Sequence, residues 1–314
     1  MDWAKYKMLA VDAAAHTLLL IDGENGEILS EMSYPDTCVP TALVLAPEAN
    51  KAFLPAAGTN GSGSLFIANL TNFTLYRLPM EIPHPSQFAI TPCGTKAYLV
   101  DPGGTLYQVN TTEMTLTMLG QPENAACVGI LADDKFIYTA WEHKNGGSIA
   151  TFDCNGQLIS EYSMPGIPTN ITINKERILI PFTATSFTGE GLAVFDKSLG
   201  DDLTPTVITI QCPMRTTGLK AYPCSVTVAP DDCTAYVINE DSGSITIIDL
   251  STSSITGHIA LGRSISNLYI LPDSRFAIAT SNMFADLTLI DLVNERVLSV
   301  AASNQEILNY LAIL

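Results

Sequence analysis

Short apolar runs of alternating character, broken by turn residues, recur along the whole chain in one arrangement. A small polar residue leads into an apolar strand, then a turn, then a second apolar strand. The unit reads PTALVLAPEANKAFLPA from Pro40, PSQFAITPCGTKAYLVD from Pro85 and ACVGILADDKFIYTAW from Ala126. It returns as PTNITINKERILIPF from Pro168, PCSVTVAPDDCTAYVIN from Pro223 and ISNLYILPDSRFAIATS from Ile265, and a half-copy, LNYLAIL, starts at Leu308. Successive starts lie 41 to 55 residues apart. Four short strands per period of that length predict the blades of a β-propeller.

Each unit continues into a third strand that closes on Asp or Asn: Asp22, Asn69, Asn110, Asp153, Asp196, Asp249 and Asp291. A side chain of that type folds an Asx-turn onto its own backbone, so these seven positions are turn formers and not catalytic carboxylates. Seven such strands predict seven blades. Residues 6–34 supply a second, third and fourth strand with no first strand before them, and residues 308–314 supply a first strand with nothing after it. Joined, they complete one blade and remove an open edge. The prediction is one all-β domain over residues 1–314, seven antiparallel four-stranded blades, with the C-terminal strand closing the N-terminal blade.

The stretch AYVINEDSGSITIIDLSTSSITGHIALG, residues 235–262, resembles the repeat of the YVTN family of β-propellers, in which a YV-N strand, a turn and a VID strand precede a closing strand ending in Gly. The likeness is clearest over residues 223–300 and extends to the whole chain through degenerate copies. The chain is similar too to the amine-dehydrogenase propeller subunits, whose chemistry lies on partner chains, and to phosphogluconolactonase-like enzymes. What this implies is the fold. The activities it suggests as alternatives are a lactonase or lyase with a site at the mouth of a central channel, and an accessory subunit of a redox complex.

Composition narrows the partners. With 47% apolar residues the chain can build a large core, and 32 Asp+Glu against 15 Lys+Arg give a net charge of −17. Such a surface repels phosphate backbones and anionic lipid, so neither nucleic acid nor membrane is expected as a partner. No run of about 18–20 apolar residues is present. As the sequence stands no secretory signal opens it, which gives a cytoplasmic expectation, or an extracytoplasmic one if a leader has been removed. Seven cysteines without a Cys-x-x-Cys read as reduced thiols, with Cys212–Cys224 the one pair placed to staple an irregular stretch.

Chemistry is expected at one end of the blades, where the loops from second to third strand and those between blades meet around the channel mouth. His16, His84 and His143 fall there, with Glu142, Glu240 and Arg263. No nucleophile elbow, P-loop, dinucleotide fingerprint or His-Glu-x-x-His motif occurs, and Glu142 and His143 are neighbours on a strand, so they should point apart. The blade from Pro168 is the longest, and its excess includes CPMRTTGLKAYPC at residues 212–224, a basic excursion in an acidic chain. The expected function is therefore a non-catalytic propeller binding a protein or small ligand at the channel mouth, without a metal or other cofactor. Its ligand contacts are expected from His84, Trp141, Glu142, His143, Arg215, Lys220, Tyr222, Glu240 and Arg263, with Trp141 either stacking on the ligand or packing half-buried against the blade.

Overall fold

The computed structural model describes residues 6–23, 27–58, 61–120, 125–184, 189–197, 204–211, 221–281, 286–302 and 308–314. It is an all-β chain of seven antiparallel sheets, each built on four strands in sequence order, arranged as a seven-bladed β-propeller. Blades are numbered here from the one that begins near Pro40. A 3-10 turn spans Pro47–Ala49, and Lys197 also has 3-10 conformation.

Blade 1 runs through Cys38–Pro40 with Val44–Ala46, Lys51–Gly58, Ser62–Asn69 and Thr74–Arg77, and blade 2 through Gln87–Ile90, Lys96–Val100, Leu106–Asn110 and Thr115–Gly120. Blade 3 consists of Ala126–Ala132, Phe136–His143, Gly146–Asp153 and Leu158–Met164. Blade 4 takes Ile167–Pro168 with Thr172–Ile173, Arg177–Thr183, Gly191–Asp196 and Thr206–Thr209. Blade 5 is Pro223–Val228, Thr234–Asn239, Ser244–Asp249 and Ser254–Ala260; blade 6 is Asn267–Ile270, Phe276–Thr280, Asp286–Asp291 and Arg296–Ala302. In blade 7, Leu308–Ile313 pairs antiparallel with Lys7–Asp12, placing Leu9 opposite Ala312 and Ala10 opposite Leu311, and Thr17–Asp22 and Ile28–Ser33 follow. The two ends of the chain thus share one sheet, as the incomplete half-copies predict.

Two compact units make up the chain. One holds the N-terminal part to Tyr138, Phe152–Gln157 and the C-terminal strand; the other holds Thr139–Thr151 and the stretch from Leu158 through blade 6. In the first unit, Leu54 and Phe66 of blade 1 pack with Leu9, Val11, Leu18 and Leu20 of blade 7, while Phe53 and Ile67 pack with Phe88, Leu99 and Val109 of blade 2. In the second, Val237 and Ile248 of blade 5 face Leu179, Leu192 and Ile208 of blade 4, and Ile238 and Ile245 face Leu268, Ala277 and Ile290 of blade 6. Successive side chains of a strand point to opposite faces, and here both faces are covered, so the middle strands read as near-continuous apolar runs.

The small polar residue at the head of a blade has a definite task. The N–H and the hydroxyl of Thr41 both donate to the Pro55 carbonyl (2.9 and 3.3 Å), those of Ser86 to Val100 (2.9 and 2.7 Å) and those of Thr169 to Pro181 (3.0 and 3.1 Å). Thr41 and Thr169 sit in the gaps where the first strands of blades 1 and 4 break after Pro40 and Pro168, and their double bonds carry the strand across the gap. The Asx-turns form as well: Asn69, Asn110, Asp153, Asp249 and Asp291 each accept on Oδ1 from amides two to four residues ahead. Cys224 is a free thiol, and its proposed partner Cys212 lies outside the described residues.

Candidate functional site

The residues expected at the loop end fall in both units, and each group is described within its own. In the second unit, the hairpin of blade 3 turns at Lys144 and Asn145 and carries Trp141, Glu142 and His143 at its mouth. Trp141 corrects the sequence expectation. Its side chain is completely buried and its Nε1–H donates to Thr139 Oγ1 at 2.6 Å, so it offers no stacking surface to a ligand. The indole is the most voluminous fully buried side chain described and is part of the core. Glu142 is exposed and His143 half-buried, and neighbours on a strand lie on opposite faces.

His143 belongs to a polar chain that crosses three strands. Its Nε2 lies 2.8 Å from Ser148 Oγ, and the Ser148 hydroxyl donates to Glu161 Oε1 at 2.8 Å. Blade 5 carries a similar chain: Asn239 Nδ2 donates to Ser244 Oγ (3.2 Å) and Thr246 Oγ1 (2.8 Å), and Thr246 Oγ1 lies 3.1 Å from His258 Nδ1. Burial holds the His258 imidazole below the usual histidine range, with Glu295 opposing the shift. Asn239, Ser244 and Thr246 are essentially inaccessible to solvent.

Tyr222 stands at the end of the excursion between blades 4 and 5. The buried Glu190 carboxylate fixes its backbone, Oε2 accepting from the Ala221 and Tyr222 amides at 2.8 and 3.0 Å, and Tyr222 adopts a positive φ of 54°. Burial, then the charges of Glu240, Asp241 and Glu142 with the Cys224 thiol, raise the Tyr222 phenol above its usual range. Three of the carboxylates at this end of the unit therefore act on the phenol of one residue that is 39% exposed. Glu240 is tied in place: its N–H donates to the Tyr222 carbonyl at 3.0 Å and its Oε1 accepts from Ser264 at 3.3 Å. Gly243 closes this hairpin at φ +56°, and a Cβ there would stand 2.9 Å from the Arg263 carbonyl, so the half-buried Arg263 packs its backbone where only glycine fits. Arg215 and Lys220 lie outside the described residues.

In the first unit His84 follows the Ile82–Pro83 strand, half-buried, with Nδ1 sealed from solvent and without a partner. In blade 7 the Tyr34 ring meets His16 edge-on at 5.8 Å, its hydroxyl donates to the Asp12 carbonyl at 3.2 Å, and burial with Asp12 nearby pushes the phenol up to about 12. Among the described residues no three His, Cys, Asp or Glu side chains are placed to share a metal ion.

Sequence reasoning missed the cross-strand chains. The serines within them, Ser148 and Ser244, stand five positions before the Asp that closes the third strand. Their partners come from other strands, which spacing along the chain does not reveal.

No family model matches the chain, and no curated protein matches it in sequence. Solved structures do. The functionally unknown protein from Desulfotomaculum acetoxidans is similar with a TM-score of 0.75 at 13% identity, over 98% of either chain. Hydrazine synthase of Kuenenia stuttgartiensis is similar at 0.69 and 11% identity, over 98% of this chain and 95% of that one. The dihydro-heme d1 dehydrogenase NirN, in complex with DHE, is similar at 0.64 and 14% identity, over 96% of this chain and 64% of its own. At these identities the likeness establishes the propeller fold.

Proposed function

We propose that this protein is a non-catalytic propeller that binds a small ligand or a protein segment with the loop end of its blades. One observation carries this reading. Six buried side-chain atoms have no hydrogen-bond partner among the described residues: His16 Nδ1, Thr17 Oγ1, His84 Nδ1, Asn239 Oδ1, Thr280 Oγ1 and Thr288 Oγ1. All six belong to second-to-third-strand hairpins, to the strand ends that flank them, or to a loop between blades. Among the described residues the opposite ends of the blades hold none. An unmade buried hydrogen bond costs about 1–3 kcal/mol, so such atoms concentrate where water or a ligand supplies the missing partner. Asn239 makes the point independently of how its amide is oriented, because turning it over only exchanges which atom is orphaned.

The test is a thermal-shift screen of a panel of small polar metabolites, since a ligand that binds only the native state raises the melting temperature. A shift that is abolished by Tyr222→Ala with Glu240→Ala, reduced by Arg215→Ala with Arg263→Ala, and retained by Lys175→Ala with Lys197→Ala at the opposite end supports the reading. A shift lost only in the Lys175/Lys197 variant overturns it, and consumption of the active compound over time would make the protein an enzyme.

A further inference from the structure

The chain from His143 through Ser148 to Glu161 fixes more than a side-chain position. Ser148 has one hydroxyl proton, and Glu161 Oε1 at 2.8 Å is a carboxylate oxygen that only accepts, so that proton points to Glu161. His143 Nε2, 2.8 Å from the same hydroxyl oxygen, must then be the donor. A neutral imidazole has one N–H. With the proton on Nε2, Nδ1 keeps its lone pair. Among the described residues nothing donates to that nitrogen, and His143 is only half-buried. The ring is the last residue of its strand, directly before the hairpin turn. In blade 5 the ring meets its hydroxyl through the other nitrogen: His258 Nδ1 lies 3.1 Å from Thr246 Oγ1, so that histidine's Nδ1 is already occupied.

We infer that His143 Nδ1 is a hydrogen-bond acceptor offered to a ligand that presents an N–H or O–H group, and that Ser148 and Glu161 are positioning residues that keep this nitrogen unprotonated. The inference rests on the reading that the loop end binds a ligand, and it adds the chemical class of the group recognised there. A metal ligand is a weaker fit, because Glu142 points away and, among the described residues, no third ligand is placed beside it.

The experiment uses the full chain labelled with 15N-histidine, with two-bond proton–nitrogen spectra recorded well above the ordinary histidine titration range. Wild type should show His143 with Nε2 protonated and Nδ1 in the unprotonated range. Glu161→Lys replaces an acceptor by a group that only donates, which reverses the chain, so His143 should switch to the Nδ1–H form. Ser148→Ala should give a mixture of tautomers, and Ser148→Thr should restore the wild-type spectrum. An Nδ1–H form in wild type, or an unchanged tautomer in Glu161→Lys, overturns the positioning role. The ligand class is read with phenol and anisole, which share a ring and differ in the donor. Phenol should move the Nδ1 resonance in wild type but not in Glu161→Lys, and anisole should move neither. A tautomer that behaves as stated with no phenol response, or with equal responses to both probes, overturns the acceptor assignment while leaving the loop-end reading to its own thermal-shift result.

Discussion

Asp153, Asp249 and Asp291 all hold their carboxyl groups below the usual aspartate range, and the cause is hydrogen bonding. The Gln157 amide leads for Asp153, the Ser251 hydroxyl for Asp249 and the Asn294 side chain for Asp291. A carboxyl whose folded-state pKa is depressed adds stability that is present above its ordinary pKa and is lost as pH falls through the folded value. These turns should therefore weaken on acidification. The triple variant Asp153→Asn, Asp249→Asn, Asp291→Asn keeps an acceptor oxygen at each turn without a charge to lose. Its melting temperature should fall less between neutral and strongly acid pH than that of wild type; an equal fall would mean the acid limb is set elsewhere. Thr169 makes a second case at this scale, because its hydroxyl donates to the Pro223 carbonyl of the next blade at 2.7 Å as well as to Pro181. Thr169→Val keeps the shape and removes the donor, and should cost about 1–3 kcal/mol in urea unfolding, with the buried Pro223 carbonyl left short of a partner. A loss below about 0.5 kcal/mol, within ordinary surface effects, would assign Thr169 to space-filling alone.

Strands are the level at which the sequence was most readable. The repeat from Pro40 onward predicts the sheets because a blade's two middle strands are covered on both faces, which imposes long apolar runs, and because Asp or Asn must close the third strand. The first strands were harder. Those of blades 1 and 4 break after Pro40 and Pro168, and the hydroxyl and amide that bridge the gap are local only to the three-dimensional pairing. Stacking and packing roles for Trp141 are not separable in the sequence for the same reason: strand alternation gives two faces, but which face a neighbouring blade covers is a tertiary fact. Arg215 and Lys220 remain readings of composition. The half-copies at the two ends, by contrast, define an element whose removal has a calculable effect. Deleting residues 308–314 takes away Tyr310 and the buried Leu311 and Ala312, and leaves Leu9, Ala10 and Val11, all wholly buried, along an unpaired edge. At about 1.5–3 kcal/mol per large apolar side chain, the loss should be roughly 3–5 kcal/mol. A truncated chain that unfolds at the wild-type urea midpoint would show that the terminal pairing contributes nothing.

Charge acts on the whole molecule. Net −17 over 314 residues is a self-repelling surface, and repulsion among like charges disfavours the compact state. Added salt screens it over a Debye length that shrinks from about 30 Å at 0.01 M to about 8 Å at physiological ionic strength. The same screening weakens attractive pairs such as Lys175 Nζ with Asp232 Oδ2 at 3.0 Å, whose lysine is 85% exposed and whose contribution is therefore below about 1 kcal/mol. The two effects have opposite signs, so the direction of the salt response reports which dominates. With acidic residues outnumbering basic ones 32 to 15, repulsion should win, and the melting temperature should rise as sodium chloride is raised from low to physiological concentration. The same excess predicts no measurable binding of duplex DNA at physiological salt, read by fluorescence anisotropy of a labelled duplex, since association would bring two anionic surfaces together and release no counterions from neutralised phosphates. A melting temperature that falls with salt would mean that local ion pairs outweigh the net charge. Salt-sensitive DNA binding would mean that the few cations, Arg215, Lys220 and Arg263 first among them, form a patch strong enough to act against the rest of the surface.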